Sequence, residues 1–302
     1  MARRFLFVPG RWAAEERAIC CDGIVAGAAL QLSHWQGNAT PSELAADTST
    51  EIALRFVDSP RAAEWPDAPV LNNHFDTDGV LSVWTLLDPE AARERRALLV
   101  AAAEAGDFDA WPDDRRGLWL DAALRALVAD CDGDAASYER ALGALPALLD
   151  DIEGRRDLWG PEWQRIEDAG GDIDAGRLVV GRVGALGIVH HGRDVEEIPG
   201  PLLVRHLGTD CRRYLLVFER DAGLEYRYEL PHHSWAETVA RPRIAPPDGA
   251  ALLRALGPDW TDADLAGMTE VARTRHPVQQ PPDAVLEALR AADGILADLP
   301  VA

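Results

Sequence analysis

Apolar residues recur along this chain in three rhythms, and each rhythm predicts a different kind of element. Short apolar runs closed by Pro, Gly or Asn occur at Phe5–Val8 and at Val70–Leu71, the form taken by buried strands. Ile24–Leu32 is also apolar, with many small residues, and Arg11–Ile19 has the makings of a helix start that Cys20-Cys21-Asp22-Gly23 interrupts. Apolar positions three and four apart predict helices from Thr48 through Phe56, from Val80 through Leu87, and over Pro89–Gly106, Leu118–Ala129, Ala135–Leu149 and Leu158–Ala169. Past Gly170-Gly171-Asp172 the pattern changes to alternation and predicts strands at Arg177–Val183, Ala185–His191, Leu202–His206 and Arg213–Glu219. Asp221-Ala222-Gly223 then forms a hairpin loop, with Leu224–Leu230 as the returning strand. Helices over Pro246–Gly257, Asp262–Arg273 and Pro281–Ala297 complete the series. The class is α/β: an N-terminal mixed or parallel sheet with a helical insertion (1–170), then a C-terminal α+β part (171–302).

The densest chemistry lies in Val70–Leu87, a strand, an acidic turn and a helix start. Its turn places His74, Asp76 and Asp78 within five residues at the carboxyl end of a strand, the edge where open α/β sheets bind ligands. Carboxylates held together repel unless a cation or a proton lies between them. His74, Asp76 and Asp78 are therefore candidate catalytic residues and candidate ligands of a hard divalent cation, Mn²⁺ or Mg²⁺. The competing reading is local: Asp78 or Thr77 caps the helix, and Asp76 forms an Asx-turn.

Other stretches add polar groups. Ser33–Pro41 sets His34 and Asn38 beside Trp35, a mixture suited to a small polar ligand or to a loop pinned by its Trp. Thr48 and Ser49 precede an apolar run, with Glu51 at capping-box distance; they cap a helix or offer its N-terminus to an anion. Six of the eight histidines fall in four places, namely His34, His74, His190-His191 and His232-His233. Alternation lets one His of each pair face a given site. His190 or His191 is the candidate proton carrier, His191 being the one placed in the catalytic set, and His233 with Trp235 is a candidate ligand-lining turn.

Charge narrows the choice of partner. There are 51 Asp and Glu against 30 basic residues, all Arg, for a net charge of −21. Such a field opposes nucleic-acid phosphates, so a small-molecule substrate is expected and a nucleic acid is not. The sequence contains no apolar run long enough to cross a bilayer and no signal-like N-terminus. Its four cysteines lack a zinc-ligand spacing, and a cytoplasmic protein away from the membrane is expected.

The segment His74-Phe75-Asp76-Thr77-Asp78-Gly79-Val80-Leu81-Ser82 resembles the first motif of the DHH phosphoesterase superfamily, the RecJ-like and manganese-pyrophosphatase group. Gly187-Ile188-Val189-His190-His191 resembles that family's third motif, with Val189 where the family has Asp, and no second-motif Asp is assigned. The resemblance implies a divalent metal on Asp76, Asp78 and His74, and hydrolysis of a phosphate ester. Across the whole chain, the stretches Ser33–Pro41, Ala46–Glu51, Asn73–Ser82 and His232–Val239 resemble a family of bacterial proteins of similar size. These proteins are associated with aziridine formation in azinomycin-type antibiotic pathways, where an amine displaces a neighbouring sulfate. Three functions follow as expectations. The first is a metal-dependent phosphoesterase-like hydrolase of a small phosphate or sulfate ester. The second is a metal-free ring-closing enzyme with an Asp general base, needing no cofactor; under any of the readings a small accessory protein subunit is a candidate partner. The third is a non-catalytic binding subunit.

Overall fold

The computed structural model describes residues 3–262 and 269–296. The protein is a mixed α/β chain that divides into two compact units. Met1–Trp163 and Ala236–Arg241 form the first, and Gln164–Trp235 with Pro242–Ala302 the second.

In the first unit, short strands β1 (Phe5–Phe7), β2 (Ile19–Cys21) and β3 (Leu30–Leu32) precede helix α1 (Ser49–Asp58). Strand β4 (Val70–Asn72) and helix α2 (Thr77–Leu87) follow. The four strands make an all-parallel sheet in the order β1-β4-β2-β3. Both faces of a parallel sheet are covered, which explains why these strands read as continuous apolar runs. Arg11–Ala18 forms no helix; Trp12 instead bonds across to Ala26 and Glu16 through its backbone and indole nitrogens. Helices α3 (Pro89–Glu94), α4 (Arg96–Phe108), α5 (Arg116–Val128) and α6 (Asp134–Asp150) build the helical region, and the span predicted as one helix over 89–106 breaks at Arg95. Leu54, Phe56, Leu81, Leu99, Leu124 and Leu145 are fully buried in the core that these helices share with the sheet.

Helix α7 (Arg156–Asp174) carries the chain out of this unit, and Gly170-Gly171 lies inside it where the sequence pattern suggested a boundary. The second unit contains β5 (Leu178–Val183), β6 (Leu186–His191), α8 (Gly200–Leu207), β7 (Arg213–Arg220) and β8 (Gly223–Glu229). Helix α9 (Gly249–Leu256), β9 (Trp260–Asp262), β10 (Glu270–Thr274) and α10 (Pro282–Ala292) complete it. Its sheet runs β5-β6-β7-β8-β10-β9, antiparallel except between β6 and β7. Two expectations change here. Leu202–His206 is helical because Pro199-Gly200-Pro201 starts a helix at α8, where a Pro in the first turn costs no hydrogen bond. Over Asp262–Arg273 the described ends are strand, β9 and β10 being paired, while 263–268 lie outside the described residues; Ala297 of the last predicted helix also lies outside. The buried Arg213 carboxylate partner is Asp293, at 2.6 Å, and Tyr228 donates its hydroxyl to the same carboxylate at 2.7 Å.

Candidate metal centre

Parallel strands deliver their loops to one edge, and three loops of the first unit meet there. Asp22 directly follows β2, His34 follows β3 by one residue, and His74 follows β4 by one. Helices α1 and α2 begin at the same edge, and α4 ends there.

Asp22 takes the left-handed backbone conformation, φ 60°, which turns its side chain inward. Its Oδ1 accepts a hydrogen bond from the Ser49 hydroxyl at 3.0 Å. Asp78, in the first turn of α2, spans to α1: Oδ2 accepts the Ser49 amide at 2.6 Å and Oδ1 the Thr50 amide at 2.7 Å. The His34 Nδ1 lies 2.6 Å from the Asp47 carbonyl. A carbonyl only accepts, so this contact places a proton on Nδ1 and aims Nε2 at the acids. That nitrogen lies 3.3 Å from Asp22 Oδ1, 3.6 Å from Asp78 Oδ2 and 3.3 Å from Asp107 Oδ2, the last from the end of α4. All four residues are buried, none more than 7% exposed, and one ligand atom from each lies within 4.8 Å of the others.

These spacings have a chemical meaning. Ligand atoms bound at about 2.1 Å around a tetrahedral cation stand about 3.4 Å from one another. Without a cation the same group must gather protons. Burial first, and then the charges of Asp78, Asp76 and Asp22, push the Asp107 carboxyl well above its ordinary range. Burial and the charge of Asp22 raise Asp78 to about 6. Burial disfavours a charged His34, but the bond to Asp22 and the charge of Asp78 outweigh it and raise the imidazole to about 9. Asp22 is held below the usual carboxylate range: burial opposes this, and the bonds from His34 and His74 prevail.

A second group borders the first and is reached by solvent. Asp22 Oδ2 lies 2.8 Å from His74 Nε2, which is also 2.8 Å from Asp76 Oδ2. Asp76 caps α2, its Oδ1 accepting the Gly79 amide at 2.7 Å. Burial again opposes charge on His74, but its bonds to Asp22 and Asp76 raise it to about 11. The Trp35 ring leans on the His74 ring, centroids 4.9 Å apart. Gly23 makes this crowding feasible: a Cβ there would meet Asn73 Oδ1 at 1.9 Å and His74 Nδ1 at 2.9 Å.

The predicted site residues separate into five groups. Asp78 and His34 enter the buried cluster, His34 facing the acids directly. His74 and Asp76 form the bordering group with Trp35 beside them, and the residue that caps α2 is Asp76, not Asp78 or Thr77. Asn38 braces its own loop, donating to the Trp35 carbonyl at 2.8 Å and to Glu237 at 3.0 Å. Thr48 caps α1 by accepting the Glu51 amide at 3.2 Å. The Ser49 and Thr50 amides are engaged by Asp78, so the start of α1 already holds a carboxylate of this chain, which corrects the assignment of Thr48 and Ser49 to a substrate anion.

His191 belongs to the second unit and is fully buried. Its Nδ1 lies 3.1 Å from the Val217 carbonyl and its Nε2 accepts the Ile198 amide at 3.2 Å, so the ring is neutral and both nitrogens are occupied. Burial pushes its pKa down to about 4. This corrects its assignment as a proton carrier. His233 is buried in the 3₁₀ turn His232–Trp235 of the same unit, with Trp235 half-buried there.

Sequence reading missed Asp22 and Asp107. Asp22 carried a signal, an apolar Ile19-Cys20-Cys21 run ending in Asp-Gly. It was obscured because Arg11–Ile19 has helical composition. Asp107 follows the helix predicted over 89–106 in an acidic stretch, and nothing local sets it apart from Asp109 or Asp113.

The sequence matches, over residues 3–262, the family described as a family of unknown function (DUF6687), and the chain belongs to that family. No curated protein and no solved structure matches it.

Proposed function

We propose that this protein is a divalent-metal-dependent hydrolase of a small phosphate or sulfate ester, with Asp22, His34, Asp78 and Asp107 holding the cation. The observation that carries the reading is the set of three oxygens spaced 3.3, 3.6 and 3.3 Å from one imidazole nitrogen, in a buried place. The residues fit a cation on chemical grounds. The carboxylates supply negative charge, the imidazole is fixed in one tautomer by a backbone carbonyl, and Ser49 and Thr50 orient the acids, the outer-shell arrangement typical of metal sites. Asp22 turns one oxygen to the buried group and the other to His74, so one carboxylate joins the proposed cation site to the accessible His74–Asp76 pair. When bound, such a cation acidifies a water and polarises the ester oxygen. His74 and Asp76, the accessible pair, hold and move the proton that the leaving oxygen requires. The buried setting favours a small substrate.

The test is elemental analysis of the purified protein followed by assays on aryl phosphates and aryl sulfates, before and after chelation. Near-stoichiometric Mn, Zn or Fe with chelator-sensitive hydrolysis is expected. A metal-free protein that acts unchanged in chelator removes this reading.

A second reading rests on Asp78, whose charge is already met by two amide donors, and on the raised Asp107. A cluster that resolves its charge with shared protons suits a metal-free ring closure in which Asp76 takes a proton from a substrate amine while sulfate departs. Chelator-resistant activity that is lost in Asp76→Asn distinguishes it.

A further inference from the structure

The short segment Ala236–Arg241 packs with the first unit, although the residues before and after it belong to the second. Its contacts converge on the elements that present the cation ligands. Ala236 bridges to Trp35, and the Glu237 amide donates to the His34 carbonyl at 2.7 Å. The Glu237 carboxylate accepts the Gly37 amide and the Asn38 side chain, each at 3.0 Å. The buried Asp47 carboxylate accepts the Val239 amide at 2.6 Å, the Ala240 amide at 2.8 Å and Arg241 Nη1 at 2.7 Å. Arg241 Nη2 donates to Glu104 of α4 at 2.9 Å, and its guanidinium lies 4.4 Å from the ring centroid of Phe108. Phe108 follows the ligand Asp107 in sequence and faces the His34 ring, centroids 5.8 Å apart.

His34 is thus held at two points, its own carbonyl by Glu237 and its Nδ1 by the carbonyl of Asp47. Asp47 is in turn held by the segment that ends in Arg241. The same guanidinium joins Asp47, ahead of α1, to α4, which carries Asp107. We propose that Arg241 is a positioning residue for the cation site, acting through Asp47 on His34 and through Glu104 and Phe108 on Asp107. The inference rests on the metal-centre reading. Ordinary structural glue would not need to unite the two elements bearing an imidazole and a carboxylate that share one cation. Arg suits the task because its planar fork engages two carboxylates at fixed geometry while its face covers an aromatic ring.

Co²⁺ titration of the full chain, followed by visible absorption, tests it. Wild type is expected to bind Co²⁺ with a band characteristic of mixed nitrogen and oxygen ligands. Arg241→Met is expected to weaken Co²⁺ binding about 10- to 100-fold, as loss of outer-shell partners does, and to change the band. Arg241→Lys, which restores charge without the fork, is expected to recover part of the affinity. Should Arg241→Met fail to fold, Glu104→Gln, which weakens the grip of Arg241 on α4, takes its place, with a several-fold loss expected. A folded Arg241→Met protein, or failing that a folded Glu104→Gln protein, whose Co²⁺ affinity and spectrum match wild type overturns the inference while leaving the metal centre standing. Wild type that binds no Co²⁺ removes the metal centre itself, and the inference with it.

Discussion

Asp78 and Asp107 face the same nitrogen of His34 from different helix ends, 3.6 and 3.3 Å away, but their support differs. Asp78 accepts two amide hydrogen bonds from α1, whereas Asp107 Oδ2 accepts none. The asymmetry separates two jobs that a single alanine scan would confuse. Asp78 fastens one helix start to another, and Asp107, with no donor on its Oδ2, is left to the proposed cation.

Asp107→Asn is therefore expected to raise the melting temperature of the metal-free protein at pH 8, because it removes one of three crowded carboxylates. The same change is expected to abolish the rise on adding a divalent cation. Asp78→Asn is expected to lower metal-free stability by about 1–3 kcal/mol, since an amide oxygen cannot serve both donors as a carboxylate does. Calorimetry of both variants, with chelator and with Mn²⁺, gives the comparison; equal shifts in the two would refute the division of roles.

Chelation of the wild-type protein is expected to lower its melting temperature. A cation present at 100 times its dissociation constant adds about 2.7 kcal/mol to the folded state, enough for a readily measured change. His34→Gln is expected to melt at the same temperature with and without chelator. Differential scanning fluorimetry across a cation series checks both statements.

His191 sets a pH dependence in the second unit. Its folded pKa is about 4, below the value of about 6.5 for an unfolded histidine. Between those values the unfolded chain binds a proton that the folded chain refuses. Stability from this residue is complete above about pH 6.5 and declines as pH falls toward 4, by an amount on the order of 2–3 kcal/mol. Urea denaturation in chelator at pH 7.5 and pH 5 is expected to show a smaller pH difference for His191→Gln than for wild type. An unchanged difference would mean that the imidazole is not buried as a neutral ring.

Gly23→Ala tests the solvent-reached group apart from the buried one. The added methyl displaces Asn73 and His74, whose atoms stand 1.9 and 2.9 Å from the new carbon. Ester hydrolysis is expected to fall about 100-fold, the lower end for loss of a positioned proton carrier, while the buried cluster keeps its cation. Loss of cation together with activity, measured by elemental analysis, would show that the two groups are not separable in this way.

Much of this arrangement was legible in the chain, for identifiable reasons. The Asp76-Thr77-Asp78-Gly79 turn was conspicuous because strand, turn and helix succeed one another within a few residues, so local pattern and final position coincide. His34 stood out only as part of a polar loop; its role depends on the Asp47 carbonyl, a backbone atom that no side-chain motif reports. Asp107 was invisible because its meaning is wholly tertiary: the end of α4 is brought to the sheet edge by packing of residues such as Leu99 and Ala103. The false strand at 202–206 is a short apolar run in which periodicity does not separate the two states, and 270–273, placed in a helix by the sequence pattern, belong to strand β10.

The first unit is discontinuous in sequence, since Ala236–Arg241 rejoins it after the chain has passed through β8. Cutting the gene once after Trp163 would yield a polypeptide with every proposed metal ligand and none of the outer supports that Glu237 and Arg241 provide. Such a fragment would report on an under-built centre, and affinities measured with it would understate those of the intact protein. Grafting the four ligands into another scaffold meets the same difficulty, because the design must also recruit a returning segment from elsewhere in its host.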